Sequence, residues 1–243
     1  MPIITKLLWL LLFYPLIVSA YEKEKVTEEI NAEVQQLSPK YTADKDYRVL
    51  ENPEEDDATA SQIVVAEVFW YGCPHCYTLE AIVSLWKTTL PKTVKFIRVP
   101  AFFGSGSPAW KIHAQLYYTL QSMGLIDKVH YGVFEEIQNQ RRNLDNTSEM
   151  AAFLKKRFKV DKGKFLKNYK SLTVSHQLLK AFKRTRKYGI TGVPALVIGG
   201  RYIVEPSLAG SLDNMTEIAD YLVAKIQSER DKKSMLRDRA VDK

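Results

Sequence analysis

Two cysteines separated by two residues, Cys73 and Cys76, constrain this chain most, and they are its only cysteines. An apolar run rich in β-branched and aromatic residues precedes them (63–69) and is typical of a buried strand. A helical stretch (78–89) follows them and ends before Pro91. Because a Cys-x-x-Cys pair between a strand and a helix is typical of redox-active cysteines, we expect the two sulfurs to form a reversible disulfide.

The order of residues in this motif predicts a different role for each sulfur. Cys73 comes at the helix start, where unpaired amides and the helix dipole stabilise a thiolate, so we expect it to be the exposed, low-pKa attacking sulfur. Pro74 suits the first helical turn because it has no N–H to leave unpaired. His75 adds positive charge when protonated, and Cys76, one turn along, is expected to face inward and resolve the intermediate. Stabilising the reduced form makes the disulfide a stronger oxidant, so the motif favours an oxidant over a reductant.

Two other interpretations of the pair are weaker. A purely structural disulfide across so short a loop would remove little chain entropy from the unfolded state. Half of a zinc site would need further ligands, and the remaining histidines, His113, His130 and His176, are scattered along the chain. We therefore expect no metal and no cofactor beyond the redox-active disulfide.

The first twenty residues are typical of a secretory signal peptide. Lys6 is followed by an apolar run (7–18) and by the small residues Ser19 and Ala20, which predicts cleavage before Tyr21. An uncleaved membrane anchor is the alternative, although the apolar run is short for a membrane span. Export to an oxidising compartment agrees with disulfide chemistry.

The charge distribution argues against a nucleic-acid partner. The chain has 35 basic and 28 acidic side chains and a formal net charge of +7. Much of the excess lies in residues 155–187, where aromatic side chains do not interleave with the cations as in single-strand binders. A solvated helix face is the favoured interpretation, over a nucleic-acid or membrane patch.

The hydrophobic pattern divides the chain into five parts. After the signal peptide (1–20) comes an amphipathic helical extension (21–40). Its apolar face is expected to pack either against the domain of the same chain or against a second copy of the chain. Strands and helices alternate in residues 41–101 and 188–229, whereas residues 102–187 are helical throughout, which predicts an inserted helical domain. The expected helices of the insertion span 107–123, 128–138, 148–158, 162–169 and 173–188. A hairpin turning at residues 199–200 and a helix over 211–227 precede a frayed charged tail (230–243).

Two further positions are expected to belong to the site. Glu67 interrupts the buried strand and would be costly there without a partner, which Arg98 on the next strand (94–99) supplies. The alternative is that Glu67 lies near solvent at a strand end. Pro194 precedes a strand, and a cis Val193–Pro194 bond would turn the Val193 backbone toward solvent, where an extended substrate could pair with it. An ordinary trans turn is the alternative here.

Two interpretations of four aromatic residues near these segments are equally supported. Trp70, Tyr71, Phe102 and Phe103 either form an apolar wall of the substrate groove or belong to the core.

From about residue 41 to residue 227 the chain resembles the DsbA family of periplasmic thiol:disulfide oxidoreductases. The resemblance rests on the Cys-Pro-His-Cys-Tyr motif (73–77), on Glu67 six residues before Cys73, and on the Gly-Val-Pro motif (192–194). It implies an α/β thioredoxin fold interrupted by a helical domain. It also implies that Cys73 is the nucleophile, Cys76 resolves, His75 tunes the pair and Pro194 shapes the substrate groove.

The resemblance also implies partners and a location. Unfolded or reduced exported proteins would be the substrates, and a quinone-linked membrane protein like DsbB would reoxidise the pair, in the periplasm of a Gram-negative bacterium. Arg98 departs from the lysine that the family often has; since arginine does not release its proton, a proton relay would depend on Glu67. The extension (21–40) favours an alternative, a homodimeric disulfide isomerase, and a non-catalytic peptide-binding chaperone is the second alternative.

Overall fold

The described part of the chain is built on a five-stranded mixed sheet with the order β1-β5-β4-β2-β3. We describe a computed structural model over residues 40–51, 53, 62–103 and 107–241. The strands are β1 (Arg48–Val49), β2 (Ile63–Phe69), β3 (Val94–Pro100), β4 (Ala195–Ile198) and β5 (Tyr202–Val204). The predicted signal peptide and all but the last residue of the predicted extension lie outside these ranges.

Strand β2, which leads into the cysteines, is central and completely buried, as predicted. It pairs in parallel with β3 and antiparallel with β4. Its side chains alternate between two apolar clusters: Ile63 and Val65 belong to one, and Ala66 and Val68 to the other. Both faces of the strand are therefore covered, which explains its nearly continuous apolar sequence.

Helix α1 (Pro74–Trp86) follows β2 directly, and five helices lie between β3 and β4. The five are α2 (Ala109–Ser122), α3 (Ile126–Gln138), α4 (Thr147–Phe158), α5 (Lys162–Tyr169) and α6 (Leu172–Lys187). Their bounds differ from the predicted ones by at most two residues, because polar side chains fix several helix starts. Asn146, Asp161 and Ser171 each accept a backbone N–H in the first turn of the helix that follows.

Strands β4 and β5 form the predicted hairpin. Gly199 and Gly200 have φ values of 58° and 63°, a conformation that suits glycine. The N–H of Arg201 closes the turn on the carbonyl of Ile198 at 3.0 Å. Since Ile198 pairs with Tyr202, three residues rather than two lie between the paired ends.

The C-terminal helix is longer than predicted. A short helix α7 (Pro206–Ala209) leads into α8 (Leu212–Val241), so the expected helix end near Gln227 was wrong. Residues 228–241 contain neither glycine nor proline, and the Gln227 side chain donates to Asp231 one turn on at 2.9 Å. Within the described ranges, no helix is both long and apolar enough to span a membrane.

Candidate active site

The two thiols lie at the start of α1, where the sequence placed them. Cys73 is the N-cap residue, with extended backbone angles (φ −92°, ψ 118°), and Pro74 occupies the first helical turn. The backbone N–H of Cys76 donates to the Cys73 sulfur at 3.4 Å. Both cysteines are free, so the structure shows the reduced pair.

Cys73 is buried, although the sequence predicted an exposed sulfur. Its exposed fraction is 8%, against 0% for Cys76. A second segment, far along the chain, lies against it: when protonated, the Cys73 thiol donates to the carbonyl of Val193 at 3.4 Å. Cys73 is nevertheless the more accessible sulfur, and the neighbouring Pro74 and His75 are exposed.

The surroundings move the pKa values of the two thiols in opposite directions. The pKa of Cys73 is lowered from 9.0 to about 6, mainly because the Cys76 thiol donates a hydrogen bond to it, and burial opposes this effect. The backbone N–H groups of Cys76 and His75 and the charge of His75 lower the pKa of Cys73 further. Burial, together with that same hydrogen bond, raises the pKa of Cys76 well above its ordinary value. Near neutral pH the pair therefore holds one thiolate and one thiol.

The segment that lies against Cys73 contains the predicted cis proline. The Val193–Pro194 peptide bond is cis. Val193 is half-buried and Pro194 is buried beside the start of β4. The folded chain thus brings the two predicted halves of the site together across 120 residues of sequence.

Glu67 and Arg98 form the predicted buried pair. Their Cα atoms are paired across β2 and β3, and Arg98 Nε donates to Glu67 Oε2 at 2.9 Å. Glu67 is fully buried, so the alternative of a solvent-exposed strand end was wrong. Burial raises the pKa of Glu67 to about 7 despite the charge of Arg98, and its Oε1 atom has no hydrogen-bond partner.

A second buried carboxylate, Glu80, was missed in the sequence. Arg98 Nη2 donates to both oxygens of Glu80, at 2.8 and 3.0 Å. Hydrogen bonds from His130 and Ser84 and the charge of Arg98 hold the pKa of Glu80 well below its usual value, against the effect of burial. Glu80 lies four residues after Cys76, on the buried face of α1. This helical spacing was the signal that could have identified it.

The network continues through two uncharged groups on other elements. His130 Nε2 lies 3.2 Å from Glu80 Oε2, and its Nδ1 lies 2.7 Å from the Tyr71 hydroxyl. Burial lowers the pKa of His130 and raises that of Tyr71, so the imidazole is neutral and the phenol keeps its proton. The hydroxyl then donates to Nδ1, and Nε2–H donates to the carboxylate. We call Tyr71, His130, Glu80, Arg98 and Glu67 the buried polar chain.

The histidines do not assemble into a metal site. His113 Nε2 is hydrogen-bonded to the Asn143 carbonyl at 2.8 Å, whereas His130 belongs to the buried polar chain. Across the residues that the structure describes, no group of three or more His, Cys, Asp or Glu side chains is arranged to hold a metal ion.

Two of the four aromatic residues considered as a groove wall line an open cavity. Phe102 and Phe103 are half-buried beside a cavity of about 700 Å³. Trp110 on the same cavity stacks on Trp70 at a centroid distance of 4.1 Å, and Trp70 is only three residues before Cys73. Tyr71, in contrast, is fully buried core.

Comparison with known proteins gives a consistent result. A family model described as a DSBA-like thioredoxin domain matches residues 64–223. The chain is 42% identical over 185 residues to a thiol:disulfide interchange protein DsbA of Pseudomonas aeruginosa, covering 76% of this chain and 85% of that protein. It is 43% identical over 171 residues to DsbA of Azotobacter vinelandii, covering 70% and 78%.

Solved structures give the same match. The crystal structure of Pseudomonas aeruginosa DsbA aligns with a TM-score of 0.74 and 40% identity, covering 79% of this chain and 97% of that one. DsbA from Xylella fastidiosa aligns with a TM-score of 0.71 and 26% identity, covering 77% and 98%.

Proposed function

The chain belongs to the DsbA family of thioredoxin-fold proteins, and on that premise we propose that Cys73 and Cys76 are its redox-active pair. The protein is a thiol:disulfide oxidoreductase that oxidises exported proteins. The observation that carries the assignment of roles is the contrast between the two sulfurs. Cys73 is the helix N-cap with a lowered pKa, whereas Cys76 is fully buried with a raised pKa.

The proposed reaction transfers a disulfide in two exchanges. In the oxidised protein, a substrate thiolate attacks the Cys73 sulfur; the Cys73–Cys76 bond breaks, a mixed disulfide forms, and Cys76 leaves as a thiolate. A second substrate thiolate then attacks the substrate sulfur of the mixed disulfide, and Cys73 leaves as a thiolate. The substrate gains a disulfide, and two electrons pass to the protein pair. The low pKa of Cys73 favours the second step because it makes Cys73 the better leaving group.

Glu67 is the proposed proton donor and acceptor for Cys76. Cys76 leaves as a thiolate, and because the pKa of its thiol is high, it takes up a proton near neutral pH. Glu67 can supply that proton, since it has a pKa of about 7 and one carboxylate oxygen without a hydrogen-bond partner. The two groups interact, since the charge of Glu67 raises the pKa of Cys76. Arg98 keeps its proton, so we assign it, with Glu80, to holding Glu67 in place.

The exposed residues around Cys73 form the proposed substrate surface. His75 supplies positive charge beside the thiolate when it is protonated, and Pro74 presents its ring to the substrate. Pro194 shapes the groove, and the Val193 backbone pairs with an extended substrate segment beside Cys73.

The proposed partners follow from family membership. We propose a periplasmic protein that oxidises unfolded exported chains and is itself reoxidised by a quinone-linked membrane protein resembling DsbB. The division into a thioredoxin part (41–101 and 188–229) and a helical insertion (102–187), and dimerisation through residues 21–40, remain predictions. No cofactor beyond the two sulfurs takes part in the proposed reaction.

Single-cysteine variants test which sulfur is attacked. Reduced Cys76→Ala protein is expected to form a mixed disulfide with glutathione disulfide at neutral pH, as followed by mass spectrometry, although this variant loses the hydrogen bond that contributes most to the low pKa of Cys73. The matched variant Cys73→Ala is expected to react far more slowly, because its remaining thiol is buried and protonated. Equal rates would refute the assignment. In a parallel assay, Cys73→Ala protein that oxidised a reduced model peptide at the normal rate would refute the proposed function itself.

A further inference from the structure

The end of α3 contacts the chain on both sides of the two cysteines. Gln138 is the last residue of α3, and its Nε2 donates to the carbonyl of Tyr71, before the Cys-x-x-Cys motif, at 2.8 Å. The next residue, Asn139, donates through Nδ2 to the hydroxyl of Tyr77, directly after the motif, at 2.8 Å. Two side-chain amides therefore connect α3 to the segment that carries the redox pair.

Tyr71 belongs to the β-turn through which the chain enters Cys73. The N–H of Cys73 donates to the carbonyl of Trp70 at 3.0 Å, which closes a four-residue turn with Tyr71 and Gly72 at its centre. The carbonyl that Gln138 binds is that of the central peptide of this turn, between Tyr71 and Gly72. The Gln138 bond therefore acts on the part of the turn that sets the direction of the chain before α1.

Two orientations are open to this central peptide. It faces opposite ways in type I and type II turns, and a type II turn needs a positive φ at its third residue, which glycine readily adopts. Gly72 occupies that position, where an added Cβ would lie 2.3 Å from the Trp70 indole. The φ of Gly72 is not positive, so the turn is not of type II. The glycine that packing requires thus leaves the opposite orientation accessible, and the Gln138 bond favours the present one.

The side chain of Tyr71 does not prevent this rotation. It is fully buried, and its hydroxyl lies 2.7 Å from His130 Nδ1. Reversing the central peptide turns only the atoms between two Cα atoms, so this side chain can keep its place. The bond from Gln138 to the Tyr71 carbonyl, in contrast, breaks as soon as the peptide turns.

We propose that Gln138 is a positioning residue for disulfide exchange, whose bond to the Tyr71 carbonyl keeps the turn in the orientation that places Cys73 at the start of α1. In this orientation Cys73 is the N-cap residue, and its sulfur accepts from the N–H of Cys76 at 3.4 Å. Reacting groups need to be held to within about 0.5 Å of their productive position, so a turn that changes orientation slows exchange at this sulfur. The inference rests on the proposed function, because it concerns how the reactive sulfur is held.

Gln138→Met tests this role, because methionine keeps the length of the side chain and has no donor. The exposed Gln140 supplies the matched control, Gln140→Met, which is expected to behave like wild type. The rate at which glutathione disulfide oxidises the reduced protein, followed by mass spectrometry after thiol alkylation, is expected to fall in Gln138→Met protein. The fall is at most about tenfold, the largest change that one such hydrogen bond makes to an equilibrium.

The ionisation of Cys73 gives a second measurement. In a turn that changes orientation, the sulfur lies away from the N–H groups of Cys76 and His75 for part of the time, and these groups help to lower the pKa of Cys73. Thiolate absorbance is therefore expected to show a higher pKa of Cys73 in Gln138→Met protein than in the control.

A rate or a Cys73 pKa equal to that of the control would overturn the proposal. This holds even if urea unfolding shows Gln138→Met protein to be less stable, because a loss of stability alone indicates a bond that only supports the fold. The proposed function is decided separately, by the Cys73→Ala protein described above. Normal exchange in both wild-type and Gln138→Met protein would therefore refute the role of Gln138 and leave that of Cys73 intact.

Discussion

Replacing Glu67 by glutamine should change how the stability of the protein depends on pH. The pKa of this carboxyl is raised from 4.5 to about 7 in the folded protein. Between those values the folded state binds more protons than the unfolded state, so the free energy of unfolding falls as pH rises. Glutamine has nearly the same shape as glutamate but does not titrate. The fall in the free energy of unfolding with rising pH is therefore absent in Glu67→Gln protein.

The expected magnitude follows from the size of the pKa shift. The whole shift corresponds to about 3 kcal/mol, most of which falls between about pH 5 and about pH 8. Over that interval the free energy of unfolding of the variant should therefore rise by about 2–3 kcal/mol relative to wild type. The titrating cysteines are present in both proteins, so their contributions largely cancel in the difference.

Urea unfolding of the reduced proteins at several pH values measures this difference. Glu229→Gln is a matched control, because Glu229 also pairs with an arginine (Arg201, 2.9 Å) but is 42% exposed. Its effect on the free energy of unfolding should stay below about 1 kcal/mol at every pH. A difference between Glu67→Gln and wild type that did not change with pH would refute the assignment of a raised pKa to Glu67.

Two further substitutions test the surroundings of the site. His130→Leu removes the partner of both Tyr71 and Glu80 and should lower the free energy of unfolding by about 1–3 kcal/mol, measured in urea; no loss would contradict the buried polar chain. Gly72→Ala places a methyl group against the Trp70 indole and should destabilise the protein by about 1–3 kcal/mol. An unchanged melting temperature in Gly72→Ala protein would contradict the close Trp70 contact.

Local pattern was enough to predict the elements that carry the site. The apolar run before Cys73 predicted a central strand, and the position of Pro74 predicted the start of the helix. Both predictions depend on neighbouring residues alone. Arg98 could be identified as the partner of Glu67 because it lies on the next strand of the sequence. Glu80 could have been found by the same reasoning, since α1 periodicity places it on the buried face with Cys76.

The remaining features depend on packing between distant segments. Cys73 contacts Val193, 120 residues away, and the role of His130 depends on its contact with Glu80 of α1, 50 residues away in sequence. Neither contact leaves a periodic signal in the sequence. The extension of α8 beyond Gln227 was missed for a different reason: a highly charged stretch was equated with a frayed tail although it contains no residue that ends a helix.

The ionisation of Cys73 tests the account most directly. Thiolate ultraviolet absorbance of the reduced protein, titrated against pH and compared with Cys73→Ser protein, isolates this one sulfur. We expect a midpoint at about pH 6 that is absent from the variant. A midpoint near 9.0, the ordinary value for a cysteine, would contradict the claim that the Cys76 thiol and the first backbone N–H groups of α1 stabilise the Cys73 thiolate.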